Sequence, residues 1–133
     1  MRVLIVTKIF PNALEPASAA FNRQHFAALS KLCDVEVLGL IPWFPGASLF
    51  SRWSASGRRS HVPTHEFIDG LSVLHPRVFY LPKLGQPIAG LTYAASLLPH
   101  ALERRGRFDV ILGSFAYPDG FASVALSRLL NVP

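Results

Sequence analysis

Sulfur is nearly missing from this chain: 133 residues hold one Cys, Cys33, and one Met. A single thiol closes no internal disulfide and builds no Cys-rich zinc module, so both kinds of small scaffold are excluded. Charge is sparse as well, at 16% of residues against 50% hydrophobic, with a mean hydropathy of +0.33. That balance excludes an intrinsically disordered chain, which needs the reverse. Long apolar runs are absent: none approaches the roughly 18 residues of a membrane-spanning helix. The least polar stretch, Pro87 to Leu102, is interrupted by Thr92, Ser96, Pro99 and His100 and reads as a core-packed helix. Only Val3 to Val6 are apolar before Thr7 and Lys8, too few for the apolar region of about 7–15 residues in a secretory leader. With no leader and one free thiol, the expected location is cytoplasmic. The length accommodates one domain, residues 1–133.

Acidic residues are the scarcer charges, 8 against 13 Lys and Arg, for a net charge of +5. Such an excess suits phosphate-bearing ligands, anionic membrane surfaces or nucleic acid, and clustering decides among them. Arg104, Arg105 and Arg107 fall where cations complement the end of a helix dipole. Arg52, Arg58 and Arg59 lie in a loop among Trp43, Phe44, Phe50 and Trp53. Neither cluster accompanies a recognition-helix or RNA-binding motif, so no nucleic-acid partner is expected.

The continuous β-branched run Arg2 to Lys8 predicts a strand covered on both faces, as in a parallel sheet. A Pro-containing connection, Ile9 to Ser18, leads to helical spacing over Ala19 to Leu32. Phe21, Ala28, Leu29 and Leu32 form its expected apolar stripe and Ser18 its expected N-cap. Asp34 to Leu40 is a second strand, completing a βαβ unit. Ile41 to Thr64, rich in Pro, Gly and Ser, reads as a long irregular loop. In His65 to His75, the pair Asp69-Gly70 between apolar segments signals a tight hairpin. Pro76 to Pro82 is extended, followed by a turn through Lys83 and Gly85. Pro87 to Arg105 is a helix that Pro99 could kink, Phe108 to Ser114 a strand, and Phe121 to Leu130 a last helix with Asp119 as candidate N-cap. The order predicts an α/β, Rossmann-like, doubly wound, mainly parallel sheet with a hairpin insertion. A further buried strand is expected to begin at Asn131 to Pro133.

Ligands of open parallel sheets sit at the carboxyl ends of the strands, near helix N-termini. Two segments meet that description: Ile9 to Ser18 and Phe115 to Gly120. The first holds no Gly, which excludes a dinucleotide fingerprint and a P-loop. A phosphate could still meet the backbone amides of Ser18, Ala19 and Ala20, with Asn12, Glu15, Asn22 and Gln24 on the same rim. In the second segment, Asp119 can cap a helix or bind a ligand hydroxyl, and Tyr117 can stack on a ring or pack on the sheet edge. The five histidines show no metal-ligand spacing; His25 is the one within reach of the first loop. No Gly-x-Ser-x-Gly elbow supports a serine nucleophile, so no catalytic residue and no metal are assigned.

Val3-Leu-Ile-Val-Thr-Lys-Ile-Phe-Pro11, Phe21-Asn-Arg-Gln-His-Phe-Ala-Ala-Leu29, Val35-Glu-Val-Leu38 and Ile41-Pro-Trp-Phe-Pro45 together resemble the opening of glycosyltransferase family 4. Asp69-Gly-Leu-Ser-Val73 with Pro76-Arg77 resembles that family's hairpin. Phe108-Asp-Val-Ile-Leu112 and Ala116-Tyr-Pro-Asp-Gly120 resemble the segment before its His motif. The resemblance is to the branch acting in polysaccharide and exopolysaccharide assembly. It implies the N-terminal, acceptor-side half of a retaining GT-B enzyme, transferring sugar from a nucleotide-sugar to a glycan or lipid-linked acceptor. The donor is a co-substrate held mainly by a C-terminal domain, so no cofactor is implied and the 133-residue chain alone is expected to be inactive. A first-loop glycine of the family approaches the donor diphosphate; Ala19 and Ala20 stand there instead. The implied substrate-facing residues are Asn12, Ser18, Asn22, His25, Tyr117 and Asp119. Lipid-linked acceptors, with Trp43, Phe44, Trp53 and the neighbouring arginines, suggest peripheral contact with the inner face of a membrane. Two alternatives are a self-standing ligand-binding α/β module and a fragment of a GT-B nucleotide-sugar epimerase.

Overall fold

A computed structural model describes residues 1–50, 52–81 and 85–133, with only the backbone of Phe50 and Ser56. The expected turn at Lys83 and the Phe50 side chain lie outside the described residues. Among the described residues the strands and α-helices follow in order: β1 (Arg2–Thr7), α1 (Ala20–Leu29), β2 (Asp34–Gly39), β3 (Ile41–Trp43), α2 (Ala55–Arg59), β4 (His65–Ile68), β5 (Leu71–Leu74), β6 (Arg77–Phe79), α3 (Ala89–Glu103), β7 (Val110–Gly113) and α4 (Phe121–Leu130). The five-stranded sheet runs β4-β5-β2-β1-β7. β1 pairs in parallel with β2 and β7, β2 in parallel with β5, and β4 antiparallel with β5. This is the expected mainly parallel α/β fold with its hairpin. Asp69 and Gly70 both take positive φ, 52° and 80°, as a tight hairpin turn requires.

The apolar run in β1 explains the layers. Side chains alternate across a strand. Leu4 and Val6 join Leu38, Leu40, Tyr93, Leu97, Ala101, Ala122 and Leu126 in one core with α3 and α4. Val3 and Ile5 face the other way, into a core with Phe10, Phe26, Val37, Leu71 and Val73. Removing a fully buried leucine such as Leu4 from such a core costs about 2–5 kcal/mol.

Several expectations are corrected. No side chain caps α1, so Ser18 is not its N-cap; the chain enters through Ala19 in the left-handed region at φ 49°. The inward face of α1 is Asn22 and Phe26, while Phe21 and Leu32 of the expected stripe are 73% and 85% exposed. The cause is tertiary: Phe26 stacks on Phe10 with centroids 5.5 Å apart, and the Asn22 amide reaches the Ile9 carbonyl at 2.8 Å. These contacts turn the helix away from the face its apolar pattern suggested. Ile41 to Thr64 is not irregular throughout, because β3 pairs in parallel with β6 and α2 follows. A 3-10 turn, Gln86–Ile88, precedes α3, and Pro99 lies inside that helix. Of the second arginine cluster, Arg104 has both a partner on the helix end and one beyond it. It donates to the His100 carbonyl at 3.0 Å and to Glu36 on β2 at 2.7 Å. Asp119 does not cap α4, which has no side-chain cap. The Ile111 amide of β7 donates to the Pro133 carbonyl at 2.7 Å, so Pro133 lies beside β7, where a further strand is expected to begin. Among the described residues, no helix is long and apolar enough to cross a membrane.

Candidate functional site: a cavity at the carboxyl ends of β1 and β2

The connection after β1 is held open by its own polar side chains. The Asn12 side-chain oxygen accepts from the amides of Leu14 and Glu15, both at 3.0 Å. This Asx-type turn replaces the missing glycine as the source of the bend. Asn22 ties the beginning of the segment to α1 through the Ile9 carbonyl. At the root, the Thr7 hydroxyl donates to that same carbonyl at 3.1 Å and accepts from the Ser114 hydroxyl at 2.6 Å.

Between this connection and the crossing from β2 to β3 lies a cavity of about 260 Å³. Lys8, Ile9, Phe10, Asn12, Glu15 and Ser18 line one wall; Gly39, Leu40, Ile41 and Pro42 line the other. Arg59 reaches in from α2, and its guanidinium meets Glu15 at 2.9 Å, clasping the two walls. Both side chains of that pair are about one-third exposed, so it shapes the mouth and adds little stability.

His75 lies at the cavity floor, 1% exposed. Its Nδ1 is 2.9 Å from the Gly39 carbonyl, and its Nε2 is 2.7 Å from a Glu66 carboxylate oxygen. The Nδ1 contact holds the ring in the floor, while Nε2 and that Glu66 oxygen are buried and make no hydrogen bond among the described residues. The ring also explains Gly39: a Cβ there would lie 2.9 Å from His75 Nδ1, a distance real Cβ atoms essentially never show.

Asn12 and Ser18 line the cavity, as does Glu15. Asn22 lies beneath the connection with its amide occupied. Of the three amides expected to face a phosphate, that of Ser18 donates to the Glu15 carbonyl at 3.1 Å. Ala19 and Ala20 lie at the α1 entry and do not line the cavity. His25 is exposed on α1, edge-on to Phe21 with ring centroids 5.2 Å apart.

In the second rim segment Pro118 and Asp119 are buried, while Phe115, Ala116 and Tyr117 are exposed. The Tyr117 hydroxyl accepts from the Gly90 amide at 3.1 Å and lies 2.8 Å from the Gln86 carbonyl, which it binds as donor. It thus caps the start of α3. Asp119 is fully buried; one carboxylate oxygen accepts from the Lys8 amide at 2.7 Å, and the other has no hydrogen-bond partner among the described residues. Burial pushes this carboxyl above the ordinary aspartate value, and the Lys8 amide opposes the shift only in part. Sequence reasoning passed over His75, Gly39, Lys8 and Arg59 as cavity residues. A Gly ending one strand and a His ending another were the available signals, and only the β2–β5 pairing brings them together.

The lining combines cations, a carboxylate, an amide and a hydroxyl with the apolar residues Ile9, Phe10, Leu40, Ile41 and Pro42. That is the makeup of a site for a hydroxyl-bearing polar ligand. Among the described residues, no group of three His, Cys, Asp or Glu is disposed to hold a metal ion.

The cavity lies at the carboxyl edge of the sheet, where ligands of open α/β sheets sit. Along its whole length, over 138 aligned positions, the chain is 25% identical to a Bacillus subtilis protein named "Putative teichuronic acid biosynthesis glycosyltransferase TuaC". It spans 34% of that protein's length. No protein-family model matches the chain, and no solved structure does.

Proposed function

We propose that this chain is the N-terminal, acceptor-side domain of a retaining family 4 glycosyltransferase of GT-B architecture. The observation that carries the reading is a ligand-sized cavity at the carboxyl edge of a parallel sheet, in a chain whose whole length aligns with a glycosyltransferase. The relative's name gives teichuronic acid biosynthesis, and the likeness supports a polysaccharide as the product class. The acceptor is accordingly a glycan or a lipid-linked glycan, and a nucleotide-sugar is the co-substrate. Sugar transfer requires an oriented acceptor hydroxyl and a stabilised leaving diphosphate. Arg59, Asn12 and Ser18 suit the first task, and Lys8 is the cation at the β1 terminus. The donor is held by a second domain, and transfer occurs in the cleft between the two.

The test is transfer of radiolabelled sugar from a panel of nucleotide-sugars to an envelope lipid extract. It compares the 133-residue chain with the full product of its gene. The expected result is no turnover by the chain alone and turnover by the full product. Arg59→Ala should lower the full product's rate at least about tenfold, as expected for loss of a charge-assisted contact. Turnover by the isolated chain would contradict the half-enzyme reading. Ligand binding with no transfer by the full product would support a self-standing binding module. Interconversion of nucleotide-sugars without an acceptor would support an epimerase.

A further inference from the structure

The cavity after β1 holds more hydrogen-bond donors than its own side chains consume. Asn12, 4% exposed, accepts from the Leu14 and Glu15 amides through Oδ1. Only the oxygen of an amide group can accept, so these bonds fix which way the group points. Its Nδ2 then stays an unspent donor among the described residues, on a residue that lines the cavity. Arg59 is in the same state: Nε donates to Glu15 at 2.9 Å, and neither Nη group has a partner among the described residues. The Lys8 ammonium has only a long contact, 3.5 Å, to the Tyr117 carbonyl and lies 5.7 Å from the Phe115 ring centroid. Against these donors the walls set one carboxylate, Glu15, already engaged by Arg59. A ligand that satisfies such a set brings oxygens that only accept, as an ionised carboxylate does.

Charge separates the two common acids. Lys8 and Arg59 against Glu15 leave one positive charge in excess on the walls, and the floor residue His75 has Glu66 beside it. One excess charge matches a carboxylate. A phosphate monoester carries about 1.5–2 negative charges at neutral pH and is best held by a cradle of backbone amides. No such cradle forms here: the Ser18 amide is spent on the Glu15 carbonyl, and no glycine stands between Lys8 and Ser18. We propose that the cavity takes an acidic sugar, its carboxylate held by the Nη groups of Arg59 and by Nδ2 of Asn12. The planar end of a guanidinium meets a carboxylate through paired N–H groups, which gives the contact direction as well as strength. That the ligand is a sugar rests on the transfer reading; that it is an acid rests on the cavity.

The test titrates the 15N-labelled chain with glucuronic acid, glucose and glucose 6-phosphate at neutral pH and reads Kd from the amide shifts. Glucuronic acid should bind about tenfold or more tighter than glucose, and tighter than glucose 6-phosphate. Asn12→Asp keeps an oxygen for the Leu14 and Glu15 amides and exchanges the Nδ2 donor for a second acceptor. It should weaken glucuronic acid about tenfold or more and glucose by less than about twofold. Arg59→Ala should erase the preference for the acid, and Arg59→Lys should keep part of it. Arg128→Ala removes the same charge from the exposed side of α4 and should leave the preference in place. Equal affinity for glucuronic acid and glucose, or tighter binding of glucose 6-phosphate, would overturn the proposal. So would an Asn12→Asp variant, folded by circular dichroism, that keeps the preference. The preference without sugar transfer by the full product would support the proposal and remove the transfer reading; transfer without the preference would do the reverse.

Discussion

The two connections at the carboxyl edge of the sheet have the same position relative to their strands and opposite fates. After β1, Asn12 and Asn22 spend their hydrogen bonds on backbone groups of the connection, and a cavity remains between it and β2. After β7, Tyr117 and Asp119 spend theirs on other elements, the start of α3 and the end of β1, and the segment is tied down with Asp119 buried. Polar residues at a strand's carboxyl end therefore do not by themselves mark a ligand site. What separates the two is whether their partners lie within the connection or across the fold.

The largest expected effect strikes the open side. Gly39→Val places a branched side chain against the His75 ring and should destabilise the protein by about 1–3 kcal/mol, read by urea unfolding. An unchanged midpoint would show that the cavity floor yields easily. On the tied-down side, Tyr117→Phe removes the hydroxyl that caps α3 and should cost about 1 kcal/mol. The cavity should keep its ligand affinity in that variant.

Asp119→Asn should raise stability, by less than Tyr117→Phe lowers it. The folded protein holds the Asp119 proton to higher pH than the unfolded chain does. Stability should therefore rise as pH falls from neutral through the raised value toward the ordinary aspartate range, about 3.9. The Asn variant should lack that rise. Asp69 and Asp109 act in the opposite sense, held below the usual range by hydrogen bonds from Arg23 and Arg2. Their contribution is present above the ordinary range and is lost as pH falls through their lowered values. Thermal unfolding across pH reads both trends, and an Asn variant that keeps the mild-acid gain would assign it to another group. The smallest change in stability belongs to Arg59→Ala, under about 1 kcal/mol for a partly exposed pair. In that variant ligand affinity should change far more than the melting temperature.

These contrasts also separate what was legible in the residues from what was not. The unbroken run in β1, the Asp69-Gly70 turn and the helices α3 and α4 are written in local pattern. The orientation of α1 is not, because Phe10 and Ile9 decide it and not the spacing of Phe21 and Leu32. β3 and β6 are too short to read alone and exist as a pair. Asp119 looked like a cap because Gly120 and Phe121 follow it; its partner is the Lys8 amide, 111 positions away. His75 carried no motif, since its neighbours Gly39 and Glu66 come from two other strands. Asn12 and Ser18 were legible as cavity residues because the connection after β1 is short and local.

Amide chemical-shift mapping of the 15N-labelled chain, titrated with short mono- and disaccharides, tests the contrast between the two connections most directly. The account predicts shifts at Asn12, Ser18, Gly39 and Ile41, with Tyr117 to Phe121 unmoved. Shifts confined to Phe115 through Gly120, with the cavity residues silent, would contradict it.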